Sequence, residues 1–219
     1  MLSREAATAT RDQKQPSRIL DIGTGSGCIA LGLTFALKQR GIRCKTLGID
    51  VSDSAVLLAR DNVQRCSGWM PKEVDIAQAD LFSSNFVREI RVLCRQHSSS
   101  DNFDIVVSNP PYIPREQYNA LAPSVKNHED REALIGEHAS SDNDRDGLIY
   151  YRRIVSLLHD LVDSGARAKE GQLAVAFEVG TDQAHDVADM LEDSGFSTTF
   201  IRDQWNVERV VVGRHRIVR

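Results

Sequence analysis

The chain has 219 residues, 41% of them hydrophobic and 26% charged, with a formal net charge of −4. That length suits one sizeable α/β domain or two small ones, and the composition is that of an ordinary globular protein. The acidic balance argues against binding nucleic acid by bulk electrostatics, and no apolar run approaches the ~18 residues of a membrane span. The cysteines, Cys28, Cys44, Cys66 and Cys94, are widely spaced, with no C-x-x-C pair and no histidines at metal-ligand spacing. They read as reduced thiols of an intracellular protein. Met1 to Gln15 mixes Ser, Thr and Ala with Arg4, Arg11, Glu5 and Asp12 and lacks the apolar core of a secretory signal. Residues 1–16 therefore read as a flexible leader and 17–219 as one folded domain.

Arg18 to Ile22 is a short apolar strand, Gly23 to Gly27 a glycine-rich turn, and Cys28 to Lys38 a helix that Gly41 helps to end. Lys45 to Ile49 is a second strand closed by Asp50. Ser52 or Asp53 can cap the helix that follows to about Cys66. Val74 to Ala79 is a third strand closed by Asp80, Phe86 to about Gln96 a helix, Ser98 to Ser100 a loop, and Phe103 to Val107 a fourth strand. Pro110 to Asp146 is long and polar with little periodicity, and such segments in a compact domain are functional or disordered. A helix from about Leu148 to Val162, a strand from Gln172 to Val179 and a helix from Asp182 to Asp193 come next. Strands Ser197 to Arg202 and Glu208 to Val212 close the chain. The alternation predicts an α/β fold with a seven-stranded, mostly parallel sheet and helices on both faces. With no crossover helix between the last two strands, the final strand pairs antiparallel.

Asn109-Pro110-Pro111-Tyr112 is the most informative segment. Proline removes a backbone donor, fixes φ and restricts the residue before it, so the fourth strand stops abruptly. Ligands of open α/β sheets bind at that edge. The stop presents an amide side chain, a carbonyl without an intrachain partner and an aromatic ring, groups that suit a planar, nitrogen-bearing substrate. In Gly23-Thr24-Gly25-Ser26-Gly27 the glycines allow a tight turn and close ligand approach, and amides at a helix start favour a carboxylate or phosphate. The pattern is G-x-G-x-G, with Cys28 where the third glycine of a dinucleotide fingerprint would fall. Asp50 stands where an acid accepts bonds from ribose hydroxyls. Asp80 is placed to receive an exocyclic amine, with Leu81 offering its backbone amide and Leu81 and Phe82 apolar surface.

A glycine loop, an acid after each of strands two and three, and N-P-P-Y after strand four together resemble a class I S-adenosylmethionine (SAM) methyltransferase acting on a nitrogen conjugated to a π system. The segments LDIGTGSGCIA, VSNPPYIP, Glu132-Ala133-Leu134, DGLIYYRR and NVERVVVG narrow the likeness. From about Arg18 to Arg214 the chain resembles the HemK/PrmC family of protein-(glutamine-N5) methyltransferases, in its bacterial and mitochondrial branch. The resemblance implies SAM as cofactor and, as partner, a class I peptide chain release factor whose Gly-Gly-Gln glutamine is methylated. Membrane and direct nucleic-acid partners are not expected. It implies cofactor contacts from Gly23 to Gly27, Asp50, Asp80, Leu81 and Asn109. The substrate amide would meet Asn109, Pro110, Pro111 and Tyr112, with Asn109, Pro110 and Tyr112 as the catalytic set. The family's small helical N-terminal domain and its I-P-R-x-E-T-E segment have no counterpart in this sequence. Glu129-Asp130 stands where Glu-Pro is usual. The insertion from Asn127 to Arg145 points to a mitochondrial member.

The chemistry needs positioning more than proton removal. Asn109 Oδ1 and the Pro110 carbonyl can accept both N–H bonds of a glutamine amide, turning its lone pair towards the methyl group, while Tyr112 packs on the amide plane. Two other readings use the same motifs: an N-P-P-Y DNA or RNA amino-methyltransferase, and a catalytically idle SAM-binding subunit. His128, Glu129 and Asp130 read as a solvated loop cluster rather than a metal site, so no metal is expected. Trp69 and Trp205 read as packing residues. Glu178 ends strand five at the same sheet edge, with a structural or a substrate-loop role.

Overall fold

The computed structural model describes residues 16–66, 68, 73–97, 102–138, 145–162 and 172–216. Its strands are β1 (Ser17–Ile22), β2 (Cys44–Asp50), β3 (Val74–Gln78), β4 (Ile105–Ser108), β5 (Leu173–Glu178), β6 (Phe196–Arg202) and β7 (Glu208–His215). The longer helices are α1 (Cys28–Lys38), α2 (Asp53–Arg65), α3 (Phe86–His97), α7 (Ile149–Leu161) and α8 (Ala184–Asp193). Three single turns, α4 (Arg115–Tyr118), α5 (Pro123–Lys126) and α6 (Arg131–Leu134), lie between β4 and α7.

The strands form one sheet in the order β3-β2-β1-β4-β5-β7-β6. β1 to β5 are parallel, and β7 runs antiparallel between β5 and β6. The expected seven-stranded sheet with a reversed last strand is therefore the observed one. Successive strand residues face opposite sides. Leu20, Val106, Val175 and Phe177 pack with α3, α7 and α8 side chains such as Ile90, Ile154 and Leu191. Ile19, Ile105, Val107 and Ala176 pack with Leu33 and Leu37 of α1 on the other side. Because both faces are covered, the central strands read as continuous apolar runs.

Several element bounds shift by a residue or two from the sequence reading, and three differences have clear physical reasons. β7 extends past Val212 to His215 because it is hydrogen-bonded on both sides, so its ladder continues beyond the apolar run. Phe103 makes an isolated bridge to Val162, and β4 begins at Ile105, after Asp104 has paired with Arg18 through Arg18 N (2.7 Å) and Nη2 (3.2 Å). The segment read as an irregular loop holds the single turns α4 to α6, each too short to leave a helical period. Pro114 precedes α4, Pro123 opens α5, and Asp130 caps α6 by accepting from Glu132 N. Ser98 to Ser100, Trp69 and residues 1–15 of the expected leader lie outside the described residues.

Candidate functional site

The parallel register brings the C-terminal ends of β1 to β5 to one edge of the sheet. The chain winds outward through β2 and β3 on one side of β1, and through β4 and β5 on the other. The crevice at such a reversal is where open α/β sheets bind ligands. Ile22 pairs with Ser108, so the glycine loop and the Asn109 stop leave adjacent strands side by side. A Cβ placed on Gly23 would lie 4.0 Å from the Asn109 backbone oxygen.

Gly23, Gly25 and Gly27 have φ of +70°, +55° and +80°, which a side chain would strain. Thr24 is buried, its N–H donating to Ile49 O (2.9 Å) and its Oγ1 to Asp21 Oδ2 (2.7 Å). From α2, Asn62 Nδ2 donates to Ser26 O (2.9 Å), and Ala59 Cβ stands 3.3 Å from where a Gly27 Cβ would be. Gly27 is the N-cap of α1 and supplies no capping oxygen. Asp50 accepts from Gly25 N (2.9 Å) and Ser52 N (3.0 Å), which ties the second strand's end to the loop. Of the two caps expected for α2, Ser52 is the one observed, accepting from Ala55 N.

Asp21 lies beneath this loop, wholly buried. Its Oδ2 accepts from Thr24 Oγ1 and Ala30 N, whereas Oδ1 has no hydrogen-bond partner among the described residues. Burial pushes its carboxyl up to about 7, against the two bonds that lower it. Sequence reasoning quoted Asp21 within the motif but assigned it no role. Gly48 was also missed: a Cβ there would meet Thr24 Oγ1 at 2.7 Å and Ile76 Cδ1 at 2.8 Å.

Asp80 is exposed, and its Oδ1 accepts from Phe82 N (2.8 Å). Leu81 is buried, and Arg153 of α7 holds that turn by donating to Leu81 O (3.0 Å) and Ser83 O (3.1 Å). Phe82 stacks on His138, with centroids 3.8 Å apart, and meets Tyr150 edge-on. Burial and then the Asp80 carboxylate raise the Tyr150 phenol.

Asn109 is exposed, Pro110 is buried, and Pro111 and Tyr112 are half-buried. Neither the Asn109 side chain nor the Pro110 carbonyl makes a hydrogen bond among the described residues, whereas the flanks of the turn are tied. Ser108 Oγ donates to Ile22 O (2.7 Å), and Gln183 Nε2 donates to Tyr112 O (3.0 Å). Ile113 N donates to Leu134 O (2.9 Å), and Gly136 N donates to Ile113 O (3.0 Å). Burial and then Glu178 raise the Tyr112 phenol, and burial raises the Glu178 carboxyl against Arg209. The Glu178 carbonyl accepts from buried Tyr151 Oη (2.7 Å), so this strand end also has a structural part. His128, Glu129 and Asp130 are exposed. Trp205 is 74% exposed, so the packing role expected for it is not observed.

The sheet order, the reversed last strand and the glycine loop beside a polar strand stop define a class I methyltransferase fold. The chain belongs to the methyltransferase small domain family, which it matches over residues 8–123. The release factor glutamine methyltransferase of Bacillus cereus is 33% identical over 176 residues, covering 80% of this chain and 50% of that protein. That of Geobacter sulfurreducens is 33% identical over 207 residues, covering 94% and 61%. These relatives agree with the family resemblance read from the sequence, and the chain spans about half to three fifths of their length. A methyltransferase structure from Pyrococcus furiosus shares the fold with a TM-score of 0.57 at 15% identity, covering 99% of this chain and 83% of that one. Both relatives are bacterial, and the mitochondrial expectation rests on the 127–145 segment, of which residues 139–144 lie outside the described residues. Among the described residues no helix is long and apolar enough to cross a membrane.

Proposed function

We propose that this chain binds SAM across the β1–β4 switch point and methylates the side-chain amide nitrogen of the Gly-Gly-Gln glutamine of class I release factors. The observation that carries the reading is the pair of unengaged acceptors, Asn109 Oδ1 and Pro110 O, beside the glycine loop on a turn tied at both flanks. The names of the relatives point the same way.

The residues present fit the cofactor. Asp21 Oδ1, a buried oxygen without a hydrogen-bond partner among the described residues, suits the ammonium of the amino-acid moiety. The loop amides at the uncapped start of α1 suit its carboxylate. The Asp50 carboxylate, oriented by two backbone amides, retains lone pairs for a ribose diol. Asp80 and the Leu81 amide suit the adenine edge. When bound, SAM supplies an electrophilic methyl group on a cationic sulfur.

A neutral amide nitrogen is a poor nucleophile because its lone pair is delocalised into the carbonyl. Accepting its two N–H bonds at Asn109 Oδ1 and Pro110 O holds that lone pair towards the methyl group and stabilises charge developing on nitrogen. Tyr112, half-buried beside them, offers a flat face to the amide. Transfer of that methyl group would form the N–C bond at the expense of its bond to sulfur, and the amide would then lose one proton to solvent. No side chain need act as general base before transfer.

Incubating a class I release factor with SAM and this protein, followed by mass spectrometry of the Gly-Gly-Gln peptide, tests the reading. The expected result is a gain of one methyl on the glutamine. Label appearing in DNA or RNA, with the peptide unmodified, would overturn it.

A further inference from the structure

We infer that Gln183 is a positioning residue for the substrate-accepting turn: its side-chain amide holds the Tyr112 backbone and so sets where Asn109 Oδ1 and Pro110 O point. The inference deepens the proposed function and rests on it for the role of those two acceptors.

Pro110 and Pro111 have no backbone N–H, so the turn cannot anchor itself with donors of its own at those positions. Its placement falls to its flanks. The upstream flank is held by the β1–β4 ladder and by Ser108 Oγ on Ile22 O. Downstream, the Tyr112 carbonyl is held by Gln183. That side chain is 9% exposed and uses both ends: Oε1 accepts from Gly180 N (3.1 Å), and Nε2 donates to Tyr112 O (3.0 Å) and Asp146 O (3.2 Å). One amide thus joins the N-P-P-Y turn, the Asp146 loop and the end of β5.

Gln183 is the N-cap of α8, a position that favours Ser, Asp or Asn, yet it makes no capping bond. Its side chain serves Tyr112 in place of its own helix, and such breaches of a local rule occur at functional sites. Glycines make the close approach possible. A Cβ on Gly147 would lie 2.2 Å from Tyr112 O, one on Gly136 2.8 Å from Tyr112 Cα, and one on Gly180 2.9 Å from Tyr112 Cδ2. Tyr112 therefore sits in a cradle of three glycines with Gln183 as its polar clasp.

Gln183→Met and Gln183→Glu test this together. Methionine keeps the length and removes both donors and the acceptor. Glutamate keeps the acceptor for Gly180 but sets an oxygen against two carbonyl oxygens; protonated, it can donate to one of them, and ionised to neither. Burial and those carbonyls raise its folded pKa, so part of the clasp is present at low pH and is lost as pH rises through that value.

In Gln183→Met, amide exchange at Ile113 and Gly136 should speed by ~tenfold or more with β1 and β2 amides unchanged, kcat on a Gly-Gly-Gln peptide should fall by a similar factor, and the SAM Kd should move less than ~threefold. In Gln183→Glu the kcat deficit should shrink as pH falls from about 8.5 to about 6. Unchanged exchange at Ile113 and Gly136, a deficit in the glutamate variant independent of pH, or a SAM Kd rising in step with the loss of kcat would each overturn the inference. If the wild-type protein leaves the peptide unmethylated, the proposed function fails, while the exchange measurement still decides the clasp.

Discussion

Asp21→Asn is expected to remove a pH dependence from the stability of this protein. In the native state Asp21 is wholly buried, and its carboxyl is pushed from 3.8 up to about 7, first by burial. That is roughly three pH units at ~1.4 kcal/mol each, a ceiling on the order of 4 kcal/mol. The sign follows from where the proton sits. Between about pH 4 and about pH 7 the folded protein keeps the proton and the unfolded chain releases it, so stability falls as pH rises and the whole penalty is in place above about 7. Asparagine has the same shape, its oxygen can keep the bonds from Thr24 Oγ1 and Ala30 N, and it carries no charge to desolvate. Thermal unfolding near pH 4 and near pH 8.5 measures the difference. Near pH 4 the penalty is largely absent, and the variant should be no more stable than the wild type. Near pH 8.5 the variant should be the more stable, and half of the ceiling corresponds to about 4–8 °C. The SAM Kd should nevertheless rise, because the unpartnered Oδ1 that suits the ammonium is gone. Identical pH profiles for the two proteins would refute the reasoning.

Asn109→Ala removes one of the two substrate acceptors from an exposed position, so kcat should fall by ~100- to 1,000-fold while the SAM Kd changes far less; near-normal turnover would sink the proposed role. Gly48→Ala forces a Cβ to within 2.7 Å of Thr24 Oγ1 and 2.8 Å of Ile76 Cδ1. It should lose about 1–3 kcal/mol in a denaturant titration, and calorimetry should show weaker SAM binding as the glycine loop shifts. Tyr151→Phe leaves the Glu178 carbonyl without its 2.7 Å donor and should lower stability by about 1–2 kcal/mol, seen as a lower thermal midpoint. An unchanged midpoint would mean that water replaces the phenol.

The fold class and the strand ends at Gly23, Asp50, Asp80 and Asn109 were legible in the chain alone. Periodicity and chain punctuation are local signals, and here they are strong: apolar runs broken by Gly23, Asp50, Asp80 and Asn109-Pro110. Parallel strands place such ends at one edge, so the order of elements alone was enough to group them. The single turns α4 to α6 were illegible because one turn carries no period. Contacts between segments far apart in the chain were invisible until it folded. Gln183 reaches Tyr112 and Asp146 across loops that the sequence separates widely, and a Cβ at Gly136, Gly147 or Gly180 would crowd Tyr112 among its nearest neighbours. The burial of Asp21 belongs to the same class: an acid at a strand end looks like any other until the loop, α1 and the sheet close over it, and only then does desolvation raise its carboxyl. The four residues of the N-P-P-Y stop are written in one stretch of sequence, but the side chain that holds Tyr112 O and the glycines beside it come from segments that only the fold brings round behind them.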